Sequence, residues 1–445
     1  MFEAISAPSI TTGAVAATCA LISQFEESQW LSQEEIEKNQ FKQLKNLLEY
    51  SFKYSKFYQE SFSKAGVKLE DIKSLDDLKK IPILQRAEIQ QAKENMDCAV
   101  VPKSHLPVWK TYTSGSTGQP LVLKKTALNQ LMWNINMIRD HFWNDRDFNK
   151  RLVNIRGKIK EVTIHQNWGI PVDPIFESTQ TISVPVVFSP EQQMEQILNF
   201  KPNTIILYPN TLEQLLILCE KQNINIDFID HVMTIGETVS NETRLKTKKI
   251  WNAKVEDDYS SNEVGIMALQ CPDADVYHVM AESVIIEILD ENNQPCKEGK
   301  AGRVVVTSLH NYVSPIIRYE INDIAEVGGK CSCGRGLPTI KQIKGRKRNL
   351  VIKPDGTKHW PPITQEIFAS KLPITNFQLI QHSLEDVEVR LVCERKLTNE
   401  DEILLTKHLH NALAHPFKLS FNYFKGLIPR PESGKFEDFM CKIPN

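Results

Sequence analysis

The stretch Thr111-Tyr112-Thr113-Ser114-Gly115-Ser116-Thr117-Gly118-Gln119-Pro120 combines two glycines with a run of small hydroxyl residues and carries no bulk that could build a core. Gly115 and Gly118 let the backbone turn so that successive N–H groups converge, and the hydroxyls add donors at a spacing suited to phosphate oxygens. The ending is not the Gly-Lys-Ser/Thr of a Walker loop. A flexible Ser/Gly surface turn has the same composition. Pro120 and the apolar Leu121-Val122-Leu123 that follow instead point to an anion-holding loop pinned by strands.

Around this loop the chain has 445 residues, 41% hydrophobic and 24% charged, enough for a large core and more than one domain. With 53 basic against 55 acidic residues the net charge is -2, so nothing in the overall charge favours nucleic acid or an anionic membrane. Nine cysteines scattered through a long chain fit reduced thiols plus a metal site better than a disulfide framework, which suggests a cytoplasmic protein. The apolar run from Gly13 to Ile22 has the look of a signal-peptide core, but the first basic residue is Lys38, and the missing basic start argues against secretion. No apolar stretch reaches the length of a bilayer span.

Local patterns set the expected elements. Ser32-Gln33-Glu34-Glu35 reads as a capping box, and Phe41, Leu44, Leu48 and Phe52 fall on one face of the helix that follows. The aromatics Phe52, Tyr54, Phe57, Tyr58 and Phe62 fit packing better than a ligand platform. Between residues 120 and 240, Thr204 to Tyr208, Thr211 to Gln222 and His231 to Gly236 read as strand, helix, strand, which predicts a right-handed crossover in a layered α/β domain. Residues 377–382, 387–394, 399–414 and 417–424 predict a small α+β domain near the C-terminus.

The string TSGSTGQP resembles the phosphate-binding loop of adenylate-forming enzymes, the superfamily of acyl-CoA synthetases and peptide-synthetase adenylation domains. Later strings match in family order and look most like the branch of phenylacetate–CoA ligases and CapK-type proteins. Asp257-Asp258-Tyr259-Ser260-Ser261-Asn262-Glu263 resembles the Tyr-Gly-x-Thr-Glu motif, Arg318-Tyr319-Glu320-Ile321-Asn322-Asp323 the Arg-Tyr-x-x-Gly-Asp string, and Gly345-Arg346 the Gly-Arg hinge. Pro429-Arg430-Pro431-Glu432-Ser433-Gly434-Lys435 resembles the Pro-x-x-x-x-Gly-Lys signature. Ser260, Asn262, Asn322 and Asn349 depart from the resembled family's usual residues, Asn262 at the position that would lie near the substrate carboxylate.

The resemblance implies an α/β fold: a large domain over residues 1–345, with layered α/β sheets and a small β-barrel-like part, then a small mobile α+β domain over 346–445 carrying the catalytic lysine. It implies activation of a carboxylic acid with Mg·ATP to an acyl-adenylate and pyrophosphate, then transfer to coenzyme A; a carrier-protein thiol or an amine is the alternative acceptor. A nucleotide-binding protein without catalysis is a third possibility, suggested by the asparagines. By the same resemblance Thr113, Ser114, Gly115, Ser116, Thr117, Gly118, Gly236, Glu237, Tyr259, Ser260, Asp323 and Arg346 bind ATP. Glu263 holds Mg²⁺, which takes few protein ligands beside phosphate oxygens, and Lys435, Glu263 and Arg346 are catalytic. Trp168, Tyr208, Asn210, Ile235 and Asn262 border the acyl pocket, although Tyr208-Pro209-Asn210 reads equally as a plain turn. The partners expected are a small carboxylic acid and coenzyme A or a carrier protein, in a monomer or homodimer.

Cys271, His278, Cys331 and Cys333 are four soft ligands of the number and type that close a tetrahedral zinc site. A hairpin of residues 283–290 and 302–309 would fold the two pairs together. The site would be structural. Unconnected buried thiols and a surface histidine are the alternative.

Overall fold

Strands Val108–Tyr112 and Val122–Thr126 pair antiparallel, with Tyr112 opposite Val122, and so flank the Gly/Ser stretch in sequence. The computed structural model describes residues 13–113, 120–361, 372–431 and 434–443, leaving aside the side chain of Arg348. Ser114, Gly115, Ser116, Thr117 and Gly118 lie outside the described residues. The fold is mixed α/β, and the chain divides into two units.

The first unit comprises Met1–Asn149, Asn167–Ser178 and Asp257–Lys344. Its sheet runs in the order Val284–Leu289, Ala301–Ser308, Tyr319–Val327, Thr339–Arg346, Tyr277–Val279, Gly265–Gln270, then residues 257–261. Helices Gln33–Tyr54 and Lys56–Lys64 pack on it. The Ser32–Glu35 capping box is present, and the helix buries Ile36, Gln40, Leu44, Leu47, Leu48 and Ser51. Phe52 is 39% exposed, so the buried stripe runs one position aside from the expected face. Tyr58 and Phe62 are core residues, and the Tyr58 hydroxyl donates to the carbonyl of Pro315 at 2.8 Å. Packing accounts for these aromatics.

The second unit comprises Lys150–Gln166, Thr179–Glu256 and residues 345–445. Strands His231–Thr234, Thr204–Leu207, Leu152–Arg156 and Thr181–Pro185 are parallel neighbours in that order, with Thr163–His165 antiparallel at the edge. Thr204–Leu207 is buried throughout, as an apolar run in a covered parallel sheet should be. Helices Pro190–Phe200, Pro209–Gln222 and Asn241–Trp251 connect the layers, the first two with proline in the opening turn where its missing N–H costs nothing. Further along, Ile374–Gln381 pairs antiparallel with Asp386–Cys393 and parallel with Phe439–Cys441, while Asp386–Cys393 pairs parallel with Lys418–Phe424. Helix Asn399–Leu413, capped by Thr398 and Asp401, buries Leu405 and Leu409 against this sheet. Among the described residues no helix is long and apolar enough to cross a membrane.

Candidate functional site

In the first unit, distant segments meet around Tyr259, Glu263 and Asp323. The strand Lys254–Ser261 pairs with Gly265–Gln270 through a register shift between Tyr259 and Ser260. The extra residue of this bulge, Met267, lies on the partner strand and bends it locally. Tyr259 is buried and its hydroxyl donates to Asp323 Oδ2 at 2.8 Å. Asp323 follows Asn322, whose φ of 67° is left-handed backbone that asparagine tolerates where the resembled string has glycine. Ser260 is half-buried and pairs with Ile266 beyond the register shift, and Asn262 Nδ2 donates to the carbonyl of Tyr112 at 3.4 Å.

Glu263 Oε1 lies 3.6 Å from Arg86 Nη1, and Arg86 Nη2 donates to Thr113 Oγ1 at 3.0 Å. Thr113 Oγ1 also accepts the N–H of Leu121 at 2.9 Å, which ties the two stems of the Gly/Ser loop. Burial pushes the Lys125 ammonium down while nearby Glu263 opposes the shift; burial raises Tyr319 to about 12, with Glu263 and Asp323 adding to it and Arg86 opposing. Glu263 is therefore a largely buried carboxylate facing cations, a lone oxygen donor of the kind Mg²⁺ accepts when phosphates supply the remaining ligands. Arg86 and Lys125 escaped the sequence reasoning because an arginine opening the short helix Arg86–Ala92, or a lysine in Leu123-Lys124-Lys125, looks like a solvated residue until the fold turns it inward.

A second set lies in the second unit at the carboxyl ends of parallel strands, where such sheets bind ligands. Gly157 follows Leu152–Arg156, Tyr208 follows Thr204–Leu207, and Gly236 and Glu237 follow His231–Thr234. Tyr208 is buried and its hydroxyl accepts the N–H of Gly157 at 3.3 Å. Gly236 has φ 76°, and a Cβ there would come within 2.9 Å of Lys435 Cε. Gly434, at φ 78°, leaves equally little room against Gly157 and Tyr208. The lysine predicted to be catalytic thus lies across a strand-end glycine.

Glu237 holds the lysine loop in place. One of its oxygens accepts the N–H of Phe436, and the other accepts the N–H of Asn210 at 3.3 Å. Burial raises its carboxyl to about 7 against the opposing pull of Arg430. Arg430 donates to Asn210 Oδ1 and to the carbonyl of Gly434, while Asn210 Nδ2 reaches Asp438 Oδ1 at 3.4 Å. Tyr208-Pro209-Asn210 is accordingly a built anchor and the start of a helix. Arg430 was hidden in the signature's variable positions. Ile235, half-buried, donates its N–H to the carbonyl of Leu207 at 3.1 Å.

Arg346 is half-buried and its N–H donates to Asn349 Oδ1 at 3.2 Å. Asn349 Nδ2 donates in turn to the carbonyl of Phe439 at 2.8 Å. The amide uses its acceptor and its donor, which a carboxylate in this place could not do. Trp168, in the first unit, is buried among rings, with His141 at 5.6 Å and Phe148 at 5.3 Å between centroids.

The metal-type ligands converge, by a route other than the expected hairpin. Val284–Leu289 and Ala301–Ser308 do pair, yet the Cys and His pairs meet because Tyr277–Val279 lies between Gly265–Gln270 and Thr339–Arg346. Cys271 and His278 sit on the turn and strand of one hairpin, and Cys331 and Cys333 on the loop leading into Thr339–Arg346. Their ligand atoms all lie within 4.8 Å of one another.

The chain resembles known proteins in sequence and in fold. Residues 362–440 match the CapK C-terminal domain family. The structure of 2-hydroxyisobutyryl-CoA ligase with R3-HIB-AMP superposes with a TM-score of 0.72 at 15% identity, covering 94% of this chain and 91% of that one. The chain has the adenylate-forming CoA ligase fold and resembles its phenylacetate–CoA ligase and CapK branch. Among sequence relatives, phenylacetate-coenzyme A ligase of Thermus thermophilus is 21% identical over 412 residues, spanning 87% of this chain and 89% of the relative. Protein CapK of Staphylococcus aureus is 21% identical over 418 residues, spanning 90% and 87%. Relatives of both kinds therefore extend over most of this chain, well beyond the CapK C-terminal match.

Proposed function

We propose that this protein is an AMP-forming acid–thiol ligase that activates an aryl or acyl carboxylic acid and transfers it to coenzyme A. A carboxylate oxygen of the acid attacks the α-phosphorus of ATP, the bond to the β-phosphate breaks, and pyrophosphate leaves. The thiol of coenzyme A then attacks the acyl carbonyl and AMP leaves with the electron pair. The acid is itself the nucleophile, so positioning and charge stabilisation are what the protein contributes.

The observation that carries this reading is the meeting of Thr113, Arg86, Glu263, Tyr259 and Asp323, from four distant segments, in one polar neighbourhood. Thr113 and the Gly/Ser loop would hold phosphates. Tyr259 offers a flat face to adenine and Asp323 an acceptor for the ribose diol. Mg²⁺ on Glu263 would neutralise polyphosphate charge. Gly236, Glu237, Ser260 and Arg346 belong to the nucleotide side, and Lys435 neutralises the charge that builds up where carboxylate and α-phosphate react. Trp168, Tyr208, Asn210, Ile235 and Asn262 are proposed as the acyl side, and zinc at the Cys/His set as a structural metal.

A carrier-protein thiol or an amine is the alternative acceptor and shares the first half-reaction. Acid-dependent pyrophosphate release with a panel of aryl and short-chain acids tests the activation step. Release with none of them would overturn the ligase reading. Offering coenzyme A, a carrier protein or an amine to the preformed adenylate then separates the acceptors.

A further inference from the structure

We infer that Cys271, His278, Cys331 and Cys333 form a closed zinc site, charge-balanced by Arg335, that clamps the loop 331–337 onto the segment following the N-terminal helix Gly13–Ser28. This site stands apart from the ligase reading and does not depend on it.

Two of the ligand-to-ligand distances are those expected around one ion, and all lie within 4.8 Å. A tetrahedral zinc with Zn–S of about 2.3 Å and Zn–N of about 2.0–2.1 Å has S–S edges of about 3.8 Å and S–N edges of about 3.5 Å. Cys271 Sγ and Cys331 Sγ are 3.8 Å apart, and Cys333 Sγ is 3.3 Å from His278 Nε2. Cys271, His278 and Cys331 are buried, His278 fully. The other imidazole nitrogen, Nδ1, is 3.4 Å from the carbonyl of Leu337. A proton on Nδ1 donated to that carbonyl leaves Nε2 as the ligand, the arrangement by which metal-binding histidines are oriented.

Three thiolates and a neutral imidazole around a divalent ion carry one excess negative charge. Arg335 supplies its counterpart. Its backbone N–H donates to Cys333 Sγ at 3.5 Å, and its guanidinium lies 4.4 Å from the ring centroid of Trp143, whose edge meets His278. The same guanidinium donates to Gln29 Oε1 at 2.8 Å and pairs with exposed Asp273 at 3.3 Å. Trp143 Nε1 also donates to Gln29 Oε1, at 2.9 Å. Next in the loop, the N–H of Gly336 donates to the carbonyl of Gln29 at 2.9 Å, and a Cβ on Gly336 would collide with the carbonyl of Leu31. A loop this closely pressed onto residues 29–31 needs a fixed position, and a metal joining it to the adjacent hairpin provides one.

Protein prepared without chelators or an immobilised-metal step should contain about one zinc per chain. Stripped protein should take up cobalt with the thiolate charge-transfer and intense visible bands of a tetrahedral site. Cys333→Ser should lose the zinc, whereas Arg335→Gln should keep it and release it to a chelator about 10-fold faster. Stripping the wild type should raise amide exchange at residues 28–36 and leave helix Asn399–Leu413 unchanged. Absence of zinc together with no cobalt bands in the stripped wild type would overturn the site even if Cys333→Ser failed to fold, and so would a Cys271–Cys331 disulfide in the purified protein. Zinc present with unaltered exchange at residues 28–36 would overturn the clamp.

Discussion

The hydroxyl of Tyr259 donates a 2.8 Å hydrogen bond to Asp323, joining two strings that stand 64 residues apart in the chain. A buried carboxylate that accepts a tyrosine hydrogen bond is held in one rotamer, which fixes the orientation of the group proposed to meet the ribose. Tyr259→Phe removes that bond and should cost about 1–2 kcal/mol of stability while weakening ATP binding several-fold. Asp323→Asn should weaken ATP binding more, with less effect on folding. Calorimetric titration with ATP checks both, and unchanged affinity in Asp323→Asn would remove it from the nucleotide site.

Gly236 and Lys435 form a second such pair. Lys435→Ala should lower ATP–pyrophosphate exchange by about 10²–10³, the scale for one preorganised charge contact. Gly236→Ala should reproduce much of that loss, because the new methyl meets Lys435 Cε and the backbone is left-handed. Its stability should fall by about 1–3 kcal/mol. Full exchange activity in Gly236→Ala would show that the lysine does not act from this position.

Glu237 gives a pH signature. Its carboxyl is raised from 4.5 to about 7 by burial, so the folded protein binds more protons than the unfolded chain between those values. Its contribution to stability is full below about pH 4.5 and is lost as pH rises through about 7, at up to about 1.4 kcal/mol per pH unit. Denaturant melts of wild type and Glu237→Gln across this window should differ in slope, the variant losing the falling limb. Parallel slopes would show that the carboxyl titrates normally.

Asn349 stands where the resembled hinge string usually has aspartate, and its amide donates to Phe439 and accepts from Arg346. Asn349→Asp should therefore destabilise the protein by about 1–3 kcal/mol even though it restores the commoner residue. Thermal melting decides this. An unchanged or raised midpoint would show that the amide donor is dispensable.

Much of the architecture was legible in local pattern. The Ser32 cap, the strand–helix–strand alternation around Thr204 to Thr234 and the C-terminal strands all follow from short-range periodicity and turn chemistry. Phe52 was misplaced because a 3.6-residue repeat fixes a stripe only to within about one position. Candidate residues inside recognisable strings, such as Tyr259, Asp323 and Lys435, were named from their strings. Arg86, Lys125 and Arg430 were not, since their partners lie 177, 138 and 220 residues away. The Cys/His set was visible as a composition of ligands, while the pairing that unites it depended on a strand order that no local signal encodes.

The register shift between Tyr259 and Ser260 leaves this protein sensitive to chain length there in a way it is not to side-chain chemistry. Alternate residues of a strand face opposite ways, so losing or gaining one position next to the shift would exchange the faces shown by the aromatic ring and the hydroxyl. Substitutions at Ser260 or Asn262 should be tolerated by the fold, whereas a single-codon deletion between Asp257 and Glu263 should turn the tyrosine away from its carboxylate partner while every residue of the motif but one is still present.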